Sequence, residues 1–277
     1  MIYTVANIQE LMLAGKPIAL QRVPEAVYHA YPAMSNSGLK EFKKGAGYWK
    51  AAREEPSEDT PARLLGRMIH MVLGEPQRFK TDVAIIEGNR AVAAVKQAVA
   101  QQEALGKIVI KPDLAKVCLD VHHKAIKHPL INQILKEGMS EVSIFWIDEA
   151  TKAPCKARLD WITSSGVICD WKTFDPLYSE DLLEYQIRSN YYHFQNAWYN
   201  EAYFQAYGKR AKGFYNVFIR TNNPVDLRVT TIAKQSIEET IPFIRTHLEN
   251  FAKCLEKDEW LLTPNEVTEI VVRPFWS

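Results

Sequence analysis

The stretch that most constrains this chain is residues 156–173, Lys-Ala-Arg-Leu-Asp-Trp-Ile-Thr-Ser-Ser-Gly-Val-Ile-Cys-Asp-Trp-Lys-Thr. Two runs rich in β-branched and aromatic residues flank Thr163-Ser164-Ser165-Gly166, which predicts two strands joined by a tight turn. Side chains alternate along a strand, so Asp170 and Lys172 project to one side. On the partner strand Lys156, Arg158 and Asp160 share one face, with Ala157, Leu159 and Trp161 on the other. The hairpin therefore lets Asp160 and Asp170 converge near one end with Lys172 beside them. Two carboxylates and an ammonium in that arrangement can hold a hard divalent cation and orient a water. The plainer reading is a solvated strand edge, where Asp-x-Lys is common. Against it, Asp170 and Lys172 lie within Val167-Ile168-Cys169-Asp170-Trp171-Lys172, an otherwise apolar run of the buried-strand type. Charge there is costly unless it is paired or bound to a metal.

A chain of 277 residues can bury one full core. Its net charge of +1 gives no global basic field, so any polyanion site must be a local channel. Cys118, Cys155, Cys169 and Cys254 are scattered without a Cys-x-x-Cys pair, and they read as reduced thiols in a cytosolic protein. A basic start followed by an apolar core is missing, so no signal peptide is expected. No apolar run approaches the ~20 residues that span a bilayer, and neither repeats nor low-complexity segments are seen.

Pro17, Pro24 and Pro32 break up residues 1–34. Ser35 reads as the N-cap of a short helix through Leu39 and Phe42; the same hydroxyls and free N–H groups are also able to bind a phosphate. Residues 50–59 read as a polar loop. Thr60-Pro61 then opens a helix carrying Leu64, Leu65, Met68, Ile69, Val72 and Leu73. Gly66 and His70 share a face of it, and the glycine would let another backbone approach. Taken alone, His70 reads as a core histidine rather than a ligand. Residues 88–137 read as two or three helices. Cys118, His122, His123 and His128 decorate them, short of the four converging ligands of a zinc site. Glu141–Ile147 reads as a strand feeding the hairpin. Residues 179–207 read as one long aromatic helix bearing Tyr192, Gln195 and Tyr199, in which a polar Gln195 calls for a partner. Two strands follow, at 213–219 and 227–232, joined by Asn222-Asn223-Pro224, and then an amphipathic helix at 234–257. The apolar tail 269–276 reads as docked on its own core or on another subunit.

The order Gly66-x-x-x-His70, Asp160, Asp170-Trp171-Lys172 and Gln195-x-x-x-Tyr199 resembles the RecE (exonuclease VIII) family of the PD-(D/E)XK nuclease superfamily. Met34-Ser35-Asn36-Ser37-Gly38-Leu39 and Cys155-Lys156-Ala157-Arg158 look like that family too, and the likeness runs from about residue 28 to about residue 210. The superfamily's proline before the first aspartate is Leu159 here. The resemblance implies an α/β (α+β) restriction-endonuclease-like core, a central mixed sheet flanked by helices. It implies one domain over 1–277, with an N-terminal extension at 1–34, a nuclease core at about 35–257 and a tail at 258–277. By similarity His70, Asp160, Asp170 and the Trp171 main-chain carbonyl would ligate Mg²⁺, with Mn²⁺ able to substitute. Lys172 would act on the attacking water and the phosphate, while Gln195 and Tyr199 would steady the site.

The expected activity is 5′→3′ exonuclease digestion of linear double-stranded DNA, leaving 3′ single strands for recombination. The expected partners are double-stranded DNA ends and a single-strand annealing protein of the RecT type. The expected assembly is a ring-shaped homo-oligomer, trimer or tetramer, in the cytoplasm of a bacterial host and encoded by a phage or prophage. Lys40, Lys43, Lys44, Arg63, Arg67, Lys156 and Arg158 are candidates for lining a DNA channel, and Ser35 and Ser37 for a 5′ phosphate. An endonuclease of the same fold and a non-catalytic binding module are the alternatives.

Overall fold

The computed structural model describes residues 3–54, 60–174, 179–263 and 269. Its strands are β1 (Ile18–Leu20), β2 (Val83–Ile85), β3 (Ile108–Ile110), β4 (Gly138–Ile147), β5 (Pro154–Thr163), β6 (Val167–Thr173), β7 (Gly213–Arg220) and β8 (Asp226–Thr230). Six of them form one sheet in the order β1-β4-β5-β6-β7-β8, and β2 and β3 form a small parallel pair. Within the large sheet only β6 and β7 run parallel. A parallel pair needs a crossover, and the helices Glu180–Ser189 and Tyr192–Tyr207 supply it. That connection lays the Gln195 helix across the sheet.

Alternation along β6 shows how the sheet is covered on both faces. Ile168 joins a core with Trp49, Trp198, Tyr203 and Phe251, from helices on one side. Cys169 and Trp171 join Met68, Val72, Val121 and Ile131, from the helices Pro61–Gly74, Pro112–Lys127 and Pro129–Lys136 on the other. Both cores are therefore built partly from the strand that carries Asp170 and Lys172.

The hairpin, the Thr60 cap and the Pro61 helix start are as expected. Thr60 Oγ1 accepts the Arg63 N–H at 3.3 Å. Several elements differ. Residues 50–54 finish the helix Ala46–Glu54 instead of forming a loop. The single helix expected at 179–207 is broken at Tyr191, which sits at φ 59°. The helix expected at 234–257 is two, Lys234–Glu238 and Ile241–Lys257. Pro242 accounts for this, because proline fits a first turn and disfavours continuation of a preceding helix. β1, β2 and β3 are three residues each, too short for alternation to be legible. β1 pairs with β4, and the segment before residue 34 packs Ile8, Tyr28 and Tyr31 on Phe145. Of the apolar tail at 269–276, only Glu269 lies within the described residues.

Candidate metal centre

β5 and β6 pair only through Trp161↔Cys169 and Ile162↔Ile168. The next pair in register would be Asp160 and Asp170, but the ladder stops short of it. Asp160 enters the opening, its Oδ2 accepting the Trp171 N–H at 3.0 Å. On the other side of β5, the ladder with β4 joins Ser140 to Trp161 and Val142 to Leu159, passing over Glu141 and Asp160. Glu141 has φ 49°, a local distortion of β4. The alternation of β5 changes phase here, which corrects the expected face pattern. Ala157 and Leu159 pack into one core and Trp161 into the other.

His70 reaches this point from the helix Pro61–Gly74. Its Nε2 lies 3.1 Å from the Trp171 carbonyl oxygen. With Nε2–H donating to that carbonyl, the neutral tautomer leaves the Nδ1 lone pair free, the arrangement usual for a metal-bound imidazole. Nδ1 is 3.6 Å from Asp160 Oδ2 and 3.7 Å from Glu141 Oε1. Burial disfavours charge on His70, but Asp160 and Glu141 outweigh it and lift its pKa to about 9, so near neutral pH Nδ1 carries a proton that a bound cation would have to displace. His70, Glu141 and Asp160 each offer a ligand atom, all within 4.8 Å of one another. One imidazole nitrogen and two carboxylates suit Mn²⁺ and Mg²⁺.

Glu141 was absent from the sequence expectation. Its signal was register: with the turn placed at 148–153, it is the β4 residue opposite Asp160. Among the described residues, the Cys118 and His122 helix contributes to no such cluster. Cys118 is fully buried, and His128 Nδ1 caps the next helix by accepting the Ile131 N–H at 3.3 Å.

Asp170, expected as a ligand, interacts electrostatically with Asp160 and His70 and has both carboxylate oxygens engaged. It is fully buried, with Lys172 Nζ 2.6 Å from Oδ2 and Gln195 Nε2 donating to Oδ1 at 2.8 Å. Burial pushes its carboxyl pKa up, and Lys172 pulls against that. Burial also works against charge on Lys172, but Asp170 and Asp160 hold its ammonium above the ordinary range. The Trp171 carbonyl, also expected as a ligand, faces His70 Nε2 instead. Tyr199 lies one turn beyond Gln195. Burial first, and then Asp160 and Asp170, keep its phenol well above its usual pKa.

The basic candidates divide. Lys156 is buried and donates to the carbonyls of Tyr28, His29 and Tyr31 at 2.6, 3.1 and 2.7 Å, so it does not line a channel. Arg158 donates to Ser143 Oγ at 3.0 Å and the Val23 carbonyl at 2.9 Å, over the Tyr28 ring. Both face the N-terminal segment because it covers that side of β5. Arg67 and Arg158 both act electrostatically on Glu25. Lys44 pairs with Glu41 at 2.7 Å. Ser35 caps its helix, accepting the Gly38 N–H at 3.0 Å, and lies 3.1 Å from Ser37 Oγ. Gly66 was expected to admit a neighbouring backbone, yet a Cβ there would meet nothing within 4 Å. The face one turn before His70 is open. Among the described residues no helix is long and apolar enough to cross a membrane.

A solved structure of a candidate exonuclease from Eubacterium rectale aligns at 16% identity over 87% of this chain and 91% of that one, with a TM-score of 0.57, a likeness of fold. Two others align too loosely to bear on it. SSO0001 does so at 14% identity, 80% and 85% coverage and a TM-score of 0.28. VC1899 from Vibrio cholerae does so at 12% identity, 92% and 61% coverage and a TM-score of 0.23. No curated protein sequence matches. The mixed sheet with its split hairpin, and the acidic and lysine residues at the split, agree with what the sequence match specifies: residues 35–267 match the PDDEXK-like domain of unknown function (DUF3799), and the chain belongs to that family.

Proposed function

We propose that this protein is a divalent-metal-dependent nuclease, and within that class an exodeoxyribonuclease of the RecE type acting on linear double-stranded DNA. The observation that carries the reading is the meeting of His70, Glu141 and Asp160 within 4.8 Å, beside the buried Asp170 and its partner Lys172. PDDEXK-like membership and the name borne by the Eubacterium rectale protein support it.

His70 Nδ1 and the carboxylates of Asp160 and Glu141 would hold Mg²⁺ or Mn²⁺, which when bound would neutralise charge on the phosphate and acidify a water. The Trp171 carbonyl fixes the His70 tautomer, and the Trp171 N–H fixes Asp160. Lys172 stays charged next to Asp170 and stabilises the extra negative charge of the transition state. Gln195 holds the Asp170 carboxylate, which in turn aims Lys172. Tyr199 keeps its phenolic proton beside two carboxylates and so remains a donor.

Polarity 5′→3′, 3′ single-stranded products, a ring of subunits and a RecT-type annealing partner complete the proposal; the RecE resemblance supports them. The test is digestion of 5′- and 3′-end-labelled linear duplex in parallel, with and without Mg²⁺, against a closed circle. Early release of the 5′ label from linear DNA alone supports the reading. Cutting of the circle replaces it with an endonuclease, and metal-independent or absent cleavage removes it.

A further inference from the structure

Lys172 has Asp170 as its counter-charge, but among the described residues two further lysines close by form no ion pair. Lys40 projects from the helix Asn36–Phe42, and Lys43 follows at that helix's end. Lys40 Nζ donates to the Asn190 carbonyl at 2.6 Å and lies 6.0 Å from the centre of the Tyr192 ring. Lys172 Nζ lies 4.8 Å from the centre of that same ring. Lys43 donates to the Tyr191 hydroxyl, with its ammonium 4.4 Å from the Tyr191 ring centre. Among the described residues no ion pair joins Lys40 or Lys43 to a carboxylate. Lys40 is nevertheless largely enclosed; burial and then the charge of Lys172 lower its pKa, and Asp170 and Glu41 offset only part of that. A carbonyl and aromatic faces stabilise an ammonium without neutralising it, and an enclosed cation with no ion-pair partner is costly. The three ammonium groups thus follow Tyr192 and Tyr191 outward from the metal centre, with one carboxylate among them.

We infer that Lys40, with Lys43 beyond it, binds the sugar–phosphate backbone of the nucleic acid at phosphates flanking the one held at Lys172. The strand leaves the metal centre along the Tyr192–Tyr191 edge, and Lys40 exchanges part of its hold on the Asn190 carbonyl for a phosphate oxygen. The inference rests on the nuclease reading. It differs from a purely structural role, in which Lys40 only ties down the left-handed residue Tyr191.

The experiment is binding of a short linear DNA duplex, with Ca²⁺ in place of Mg²⁺, across a range of salt. It compares wild type, Lys40→Met, Lys40→Arg and Lys43→Met; methionine keeps most of the buried stem. Lys40→Met should bind about tenfold more weakly, as for a lost charge-assisted hydrogen bond. Its slope of log affinity on log salt should fall by about 0.9 for one lost phosphate contact, and Lys40→Arg should restore it. A slope equal to that of wild type in Lys40→Met, whatever happens to cleavage, overturns the inference and leaves the lysine a structural tie. Wild type that neither binds nor cuts duplex would instead remove the nuclease reading, and the failure would then appear in wild type rather than in the variant.

Discussion

Asp160 Oδ2 accepts the main-chain N–H of Trp171 at 3.0 Å, so a side chain of β5 takes a backbone bond of β6 where the two strands part. One carboxylate thereby serves both the sheet and the metal centre, and two substitutions separate these roles. Asp160→Asn keeps an acceptor for Trp171 and should fold normally, yet lose metal binding and cleavage. Asp160→Ala leaves that N–H orphaned and should in addition cost about 1–3 kcal/mol of stability. Thermal melts beside calorimetric Mn²⁺ titrations check both outcomes.

Glu141 holds its place opposite Asp160 in a distorted stretch of β4, 3.7 Å from His70 Nδ1. Removing the charge with Glu141→Gln should weaken Mn²⁺ binding at least about tenfold, as replacing a carboxylate ligand by an amide costs more than ~1.4 kcal/mol at a charged site. Raised Mn²⁺ should recover part of the cleavage. Wild-type affinity in this variant would exclude Glu141 from the centre.

Gly66 faces open space on the helix that carries His70. Alanine there meets no obstacle and should stabilise the fold by up to about 1 kcal/mol, the helix-propensity difference. If the substrate passes over this face, Gly66→Ala should raise Tm while lowering kcat/KM on duplex DNA. Unchanged kcat/KM would place the substrate elsewhere.

Lys156 tests whether a basic residue near the site is structural. Lys156→Met leaves three carbonyls without their donor and should cost about 3 kcal/mol at roughly 1 kcal/mol each. The salt slope of DNA binding should not change. Burial, with Arg53 and Arg158 adding to it, draws the Lys156 pKa down from 10.5 to about 7. The unfolded chain keeps that proton up to about pH 10. Between those values the unfolded state binds more protons, so this residue makes wild-type stability rise with pH. Denaturant melts across that window should show the rise in wild type and its absence in Lys156→Met.

What could be read from the sequence was what depends on local order. The Thr163–Gly166 turn, the Thr60 cap and the same-side placement of Asp170 and Lys172 follow from neighbours in the chain. Gln195 was legible as a polar residue needing a partner, and Asp170 is that partner. Glu141 was not, because its role comes from strand register and a distortion that shifts the face pattern of β5. Lys156 is withdrawn from any channel because the exposure of that part of β5 is decided by the segment ending near Tyr31, well over a hundred residues away in sequence. The break at Tyr191 carries no glycine or proline to announce it. Its left-handed backbone accompanies tertiary contacts of the Asn190 carbonyl with Lys40 and of the Tyr191 hydroxyl with Lys43.

The central claim is that one divalent ion binds where His70, Glu141 and Asp160 meet. Anomalous diffraction from crystals soaked in Mn²⁺ addresses it directly. The account predicts a peak within bonding distance of His70 Nδ1 and of both carboxylates. A peak held by Asp170 without His70 or Glu141, or no peak at this point under saturating Mn²⁺, would contradict it.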